Sequence, residues 1–190
     1  MPVESVNTLQ NRYGPSYRWL VTATGMMGAM VMILSSTMVN VAVPSIMGTF
    51  GVGQSEAQWM STAFLAAMTA SQLLGAWVLS IFGPRVGYIG AVSIFVAGSF
   101  LGAFAPNIDI LILSRVIQGF AAGVVQPLAM VTIFKVFPPE KRGLALSLYG
   151  GGIIIAPILG PIVGGITIDA SSWRELFYIC LLYTSDAADE

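Results

Sequence analysis

Apolar residues run almost unbroken through five stretches of this chain, and polar residues collect in the short gaps between them. The stretches lie approximately at 19–43, 58–82, 86–105, 110–134 and 143–168. A soluble helix averages about 10–14 residues, whereas crossing the ~30 Å hydrocarbon core of a bilayer takes about 20 apolar ones. Each stretch reaches the longer length, so the pattern predicts an all-α, polytopic membrane helical bundle. A sixth apolar run starts near Leu176 and is lost after Tyr183, where "TSDAADE" turns acidic, so the sixth helix is expected to be truncated. In "QSEAQW", Ser55 and Gln58 have the spacing of a capping box at the start of the second span.

Composition agrees with the pattern. The chain is 56% hydrophobic and 9% charged, with a mean hydropathy of +0.82. A soluble domain carries about 25% charged residues, enough to coat a globule in water. One cysteine, Cys180, excludes an intrachain disulfide, and with no histidine and no clustered carboxylates no metal site is expected. There is no basic stripe for nucleic acid. Arg12 and Arg18 precede the first span as in a signal peptide, but its apolar run is too long and no cleavage site follows, so an uncleaved helix is expected.

Connecting segments alternate sides, so their basic residues set the orientation. With the N-terminus inside, that side collects Arg12, Arg18, Arg85, Lys135, Lys141 and Arg142, against Arg174 alone on the other. Lys and Arg favour cytoplasmic loops. Residues 1–18 are therefore expected to be a cytoplasmic N-terminal segment, and 19–179 a multi-pass domain of the plasma (inner) membrane.

Arg115 is the one charged side chain inside the five complete spans. It lies about five residues, or ~8 Å, from the outer end of its helix, close enough to snorkel to the interface. The other reading comes from its neighbours. Gln118, Gly119, Ala122 and Gln126 follow at helical spacing, forming a polar and small face suited to a wet cavity wall or a packed helix contact. Always charged, Arg115 can bind an anion or tune a carboxylate but cannot carry a proton. Glu56, Asp109, Glu140 and Asp169 all fall in loops or at span ends.

The fifth span holds "APILGPIVGG", with two prolines and three glycines in ten residues. Gly152, Ala156, Gly160 and Gly164 recur every fourth position, a stripe that lets another helix approach closely. Pro157 and Pro161 each remove an N–H and are expected to kink the helix. A static close contact and a surface that slides during conformational change both fit this spacing.

These residues resemble the N-terminal half of a major facilitator superfamily transporter, of the fourteen-span drug:proton antiporter branch. "APILGPIVGG" resembles the fifth-helix antiporter motif GP-x-x-GG, carried by Gly160, Pro161, Gly164 and Gly165, with Ala156 and Pro157 before it. "LSRVIQGFAAG" resembles the fourth-helix R-x-x-Q-G motif, carried by Arg115, Gln118 and Gly119. "TMVNVAVP", "FPPEKRGLAL" and "SSWRELFYI" resemble the family's first helix, its loop between helices four and five, and the start of helix six. The resemblance implies the major facilitator fold, here a six-helix half with its sixth helix truncated. It assigns Arg115, Gln118 and Gly119 to proton coupling and the fifth-helix motif to the contact that rocks between the two halves. Thr37 and Asn40 are then expected to face the central cavity, with Gln126 as a further cavity candidate.

The departures matter equally. Ser35 stands where the family usually has an acid, two residues before Thr37. The loop after helix two keeps Gly83 and Arg85 but has Ser80 and Ile81 in place of Asp and Arg. After Ile179 the family's N-x-P-x-G is replaced by "CLLYTSDAADE", so residues 180–190 are expected to be a non-native tail.

The implied function is secondary active export of small amphipathic or cationic compounds, driven by a proton gradient with no bound cofactor. Its partners would be the small-molecule substrate, the lipid bilayer and a missing C-terminal half. A porter for another metabolite, or a truncated membrane fragment without transport of its own, are the alternatives. No paired carboxylates or metal spacing suggest an enzyme.

Overall fold

The computed structural model describes residues 17–189, which are helical except at short connections. Arg12 and most of the expected cytoplasmic segment lie outside the described residues. The helices are α1 (Tyr17–Phe50), α2 (54–82), α3 (84–103), α4 (Ile108–Val136), α5 (Pro139–Ala170) and α6 (Glu175–Asp189). Four helical segments are long and apolar enough to cross a membrane: Trp19–Phe50, Ser80–Ala103, Ile108–Val136 and Pro139–Ala170. The 54–82 helix, which contains the second span expected at 58–82, is not among these four. At 15 residues, α6 rises about 22 Å, less than the ~30 Å hydrocarbon core.

Helices outlast the apolar runs because hydropathy marks only the part immersed in lipid, while backbone hydrogen bonding continues past it. α1 extends to Phe50 and α5 begins at Pro139, whose missing N–H costs nothing in a helix's first turn. The start of α2 corrects the sequence reading. Gly53 is its N-cap, and its N–H donates to Glu56 Oε2 at 3.3 Å, leaving Ser55 inside the first turn. A carboxylate three residues after the cap also complements the positive end of the helix. Between α2 and α3 the only departure from helical dihedrals is Gly83, at φ 75° and ψ 172°. Such a positive φ is open to glycine at little cost, and Pro84 then fixes the first residue of α3.

α4 packs most extensively on α2 and α3, and α1 on α5. The buried apolar side chains form three clusters. At one end Met38, Ile46, Met60, Leu111, Trp173 and Phe177 join α1, α2, α4 and α6. At the other end Ala29, Ile133, Phe137, Ala145 and Tyr149 join α1, α4 and α5. Between them Met32, Phe64, Phe95, Val125 and Leu128 fill the middle.

Glycine sets the closest approach. A Cβ on Gly119 or Gly123 of α4 would run into the backbone carbonyl oxygens of Phe64 and Met68 on α2. These two helices therefore meet backbone to backbone, as small residues allow. The turn into α6 is fastened differently. Trp173 Nε1 donates to Thr49 Oγ1 at 3.1 Å, and Arg174 Nη1 donates to the carbonyls of Ala103 (2.8 Å) and Ala105 (3.2 Å). Arg174, counted above only as a loop charge, thus satisfies carbonyls left over at the end of α3.

Arg174→Gln is expected to lower unfolding stability by about 2 kcal/mol, because hydrogen bonds from charged donors contribute about 1.5–3 kcal/mol each. Thermal melting in detergent measures this; an unchanged melting temperature would show the fastening to be incidental.

Candidate functional site

α4 begins with Asn107, whose side chain accepts from the Ile110 N–H at 2.9 Å, fixing where the helix starts and which way its faces point. Two turns on, Arg115 and Gln118 turn inward together. Arg115 has 0% exposure, so it does not snorkel; it is the only buried charged side chain among the described residues.

Each neighbouring helix contributes to holding it. Arg115 Nη1 donates to Ser35 Oγ of α1 at 3.2 Å and to Gln118 Oε1 at 2.6 Å. Gln118 Nε2 donates to Ser99 Oγ of α3 at 2.8 Å, and Ser99 Oγ donates in turn to the Phe95 carbonyl at 3.0 Å. The Phe64 ring of α2 lies 4.3 Å from Arg115 Cζ, presenting its negative face to the cation. Buried Cys180 of α6 sits beside Ser35. The arrangement is one relay of polar groups through four helices with a cation at its head.

That relay is incomplete at the guanidinium. Arg115 Nε and Nη2 are buried with no hydrogen-bond partner. No carboxylate is buried among the described residues. The site therefore holds a positive charge with two unused donors, chemistry suited to an anion or a carboxylate brought close.

Glycine makes room for the relay as well. A Cβ on Gly98 would come within 2.9 Å of Gln118 Cγ, and Gly119 gives the close contact with Phe64 described above. Within this site Gly119 is a spacer next to the polar groups.

The other sequence candidates lie apart from Arg115. The Thr37 hydroxyl donates to the Leu34 carbonyl of its own helix at 3.0 Å and faces Gly160 on α5. Asn40 is exposed, and its Oδ1 accepts from Ser61 Oγ at 2.6 Å. Gln126 Oε1 accepts from Gln72 Nε2 at 3.0 Å. Ser61 and Gln72 of α2 thus complete two polar pairs that the sequence reading missed. Their spacing of 11 residues, which returns to the same helix face, was the signal available.

On α5 the motif divides between two faces. Gly152, Ala156, Gly160 and Gly164 are buried, and would-be Cβ atoms on three of them meet Met26, Thr37 and Met38 of α1. Pro157 and Pro161 point away and are exposed, and nothing lies within 4 Å of a Cβ on Gly165. The helix runs as a single element through both prolines. Gly83 forms the α2–α3 break, and Arg85 is exposed at the start of α3.

Two measurements follow from this geometry. Ser35→Asp places a carboxylate beside the unpaired donors and is expected to raise stability by about 1–3 kcal/mol, whereas Ser35→Ala lowers it. A loss on introducing aspartate would mean that the guanidinium is not seeking an anion. Gly160→Ala is expected to destabilise by about 1–3 kcal/mol through the α1 contact, while Gly165→Ala is neutral or mildly stabilising. Equal effects at both positions would contradict the division of the motif.

The Major Facilitator Superfamily model matches residues 25–184. Among relatives, the MFS-type transporter YcnB of Bacillus subtilis is 40% identical over 167 residues, covering 88% of this chain and 35% of its own length. The multidrug export protein EmrB of Haemophilus influenzae is 37% identical, over 84% of this chain and 31% of its own. The fatty acid resistance protein FarB of Neisseria gonorrhoeae is 34% identical, over 87% and 32%. The chain thus spans about a third of the length of the curated relatives it matches. A solved D-xylose-proton symporter superposes with a TM-score of 0.77 at 19% identity, over 92% of this chain and 47% of that one, which is a likeness of fold. By the extent of the family match and the shared helical architecture, the chain belongs to the major facilitator superfamily.

Proposed function

We propose that this chain is part of a secondary active transporter that exports small amphipathic or cationic compounds by alternating access, using the proton gradient and no bound cofactor. The observation that carries the reading is the buried Arg115, tied to Ser35, Gln118 and Ser99 yet left with two free donors. A group that cannot lose its own proton can still set when a nearby carboxylate loses one. In this reading the carboxylate comes from a C-terminal half of the kind its longer relatives have. Approach of that acid to Arg115 favours its charged form and releases the proton; withdrawal favours reprotonation.

The packing supports the alternating movement. α1 and α5 lock through Gly160 and Gly164, and the outward face of α5 bears Ile154, Ile158, Ile162 and Ile166, all exposed. That ridge is suited to slide against a second half. The pairs Asn40–Ser61 and Gln72–Gln126 would offer substrate uncharged hydrogen-bonding groups. The basic-residue count supports a cytoplasmic N-terminus in the plasma membrane.

A second reading, a porter for another metabolite, is favoured by Ser35, Ser80 and Ile81, which stand where the drug exporters have charges. Transport direction in vesicles under an imposed pH gradient separates the two.

Expression of a full-length version in a pump-deficient bacterium is expected to lower ethidium accumulation several-fold, with the effect abolished by a protonophore. Arg115→Gln is expected to insert in the membrane and lose that effect. Unchanged accumulation over a broad panel of dyes and drugs would overturn the export reading.

A further inference from the structure

On the outer side of α2, α3 and α4 an apolar groove of about 260 Å³ runs inward from the Gly83 break, lined by residues including Val78, Phe82, Val86, Gly90, Ile94 and Phe120. Its lining is hydrocarbon, and it is open along one side. From Val86 to Ile94 it follows α3 for about 12 Å, close to the depth of one leaflet's hydrocarbon. Gly90 gives the groove its floor: nothing lies within 4 Å of where its Cβ would be.

Charge lies next to the groove along the chain. Arg85 is exposed and sits in sequence between two lining residues, Phe82 and Val86. The ends of α4 and α5 on the same side add Lys135, Lys141 and Arg142, against Glu140 as the acidic residue of that turn. Ser80 and Ile81 supply no countercharge to Arg85. An apolar trough of one-leaflet depth, with an exposed cation between two of its lining residues in sequence, matches one class of molecule. We propose that the groove holds an acyl chain of an anionic phospholipid whose phosphate rests at Arg85. The site is separate from Arg115 and does not depend on what is transported. Lipid here would wedge α2, α3 and α4 around the Gly83 break.

The test is native mass spectrometry of the full purified chain released from equal mixtures of phosphatidylglycerol and phosphatidylcholine. Wild type is expected to retain one phosphatidylglycerol in preference to phosphatidylcholine by about fivefold, the effect of one surface cation. Arg85→Gln is expected to remove that preference. Gly90→Leu, which fills the groove without meeting a neighbour, is expected to lose the bound lipid of either headgroup while melting as wild type does. Retention without headgroup preference, lipid binding unaffected by Gly90→Leu, or a lipid-free dimer in which a second copy covers the groove would each overturn the proposal.

Discussion

A guanidinium withdrawn from water has to be answered by its surroundings, and in this bundle that requirement falls on four helices at once. Arg115 takes a hydroxyl from α1, an amide from its own helix and an aromatic face from α2, while α3 anchors the amide through Ser99. A cation at the centre of a span costs about 2.5–3.5 kcal/mol on insertion scales, and Arg115, two turns into α4 but withdrawn from water, likewise calls for compensation. The hydrogen bonds supply part of that compensation. They also fix how α1, α3 and α4 register against one another, because each partner has to arrive at one depth.

Close packing makes the compensation reachable. Gly119 and Gly123 bring α4 onto the α2 backbone, and Gly98 accommodates Gln118. Larger side chains at these positions would separate the helices by more than a hydrogen bond can span. The α1–α5 seam repeats this logic with Gly160 and Gly164, but without a charge. The bundle thus holds a polar seam around Arg115 and an apolar seam along α5. The first contact holds a charge in place, and the second leaves the outer face of α5 uncovered.

The fold class was legible because lipid imposes length, and five apolar stretches are visible without knowing which residues touch. Arg115 and Gln118 were legible as one helical face for the same local reason. Their partners were not, since Ser35 lies 80 residues and Ser99 19 residues from the groups they bond. Whether Arg115 snorkels or packs inward depends on those partners, so the sequence left both open. The start of α2 was misplaced by two residues because Ser55 and Glu56 both offer capping chemistry, and only backbone geometry decides between them. Arg174 reads as a loop charge until the carbonyls of Ala103 and Ala105 are seen beneath it. The resemblance to a transporter supplied roles for the glycines, and the structure separates those facing α1 from Gly165.

The claim on which the rest depends is that Arg115 and Gln118 act as one unit within the bundle. A double-mutant cycle measures it directly: unfolding free energies in detergent for Arg115→Met, Gln118→Leu and the pair. Coupling of about 1.5 kcal/mol or more is expected for a buried, charge-assisted hydrogen bond. Additivity within about 0.5 kcal/mol would contradict the account, leaving the guanidinium a buried charge that the relay does not hold.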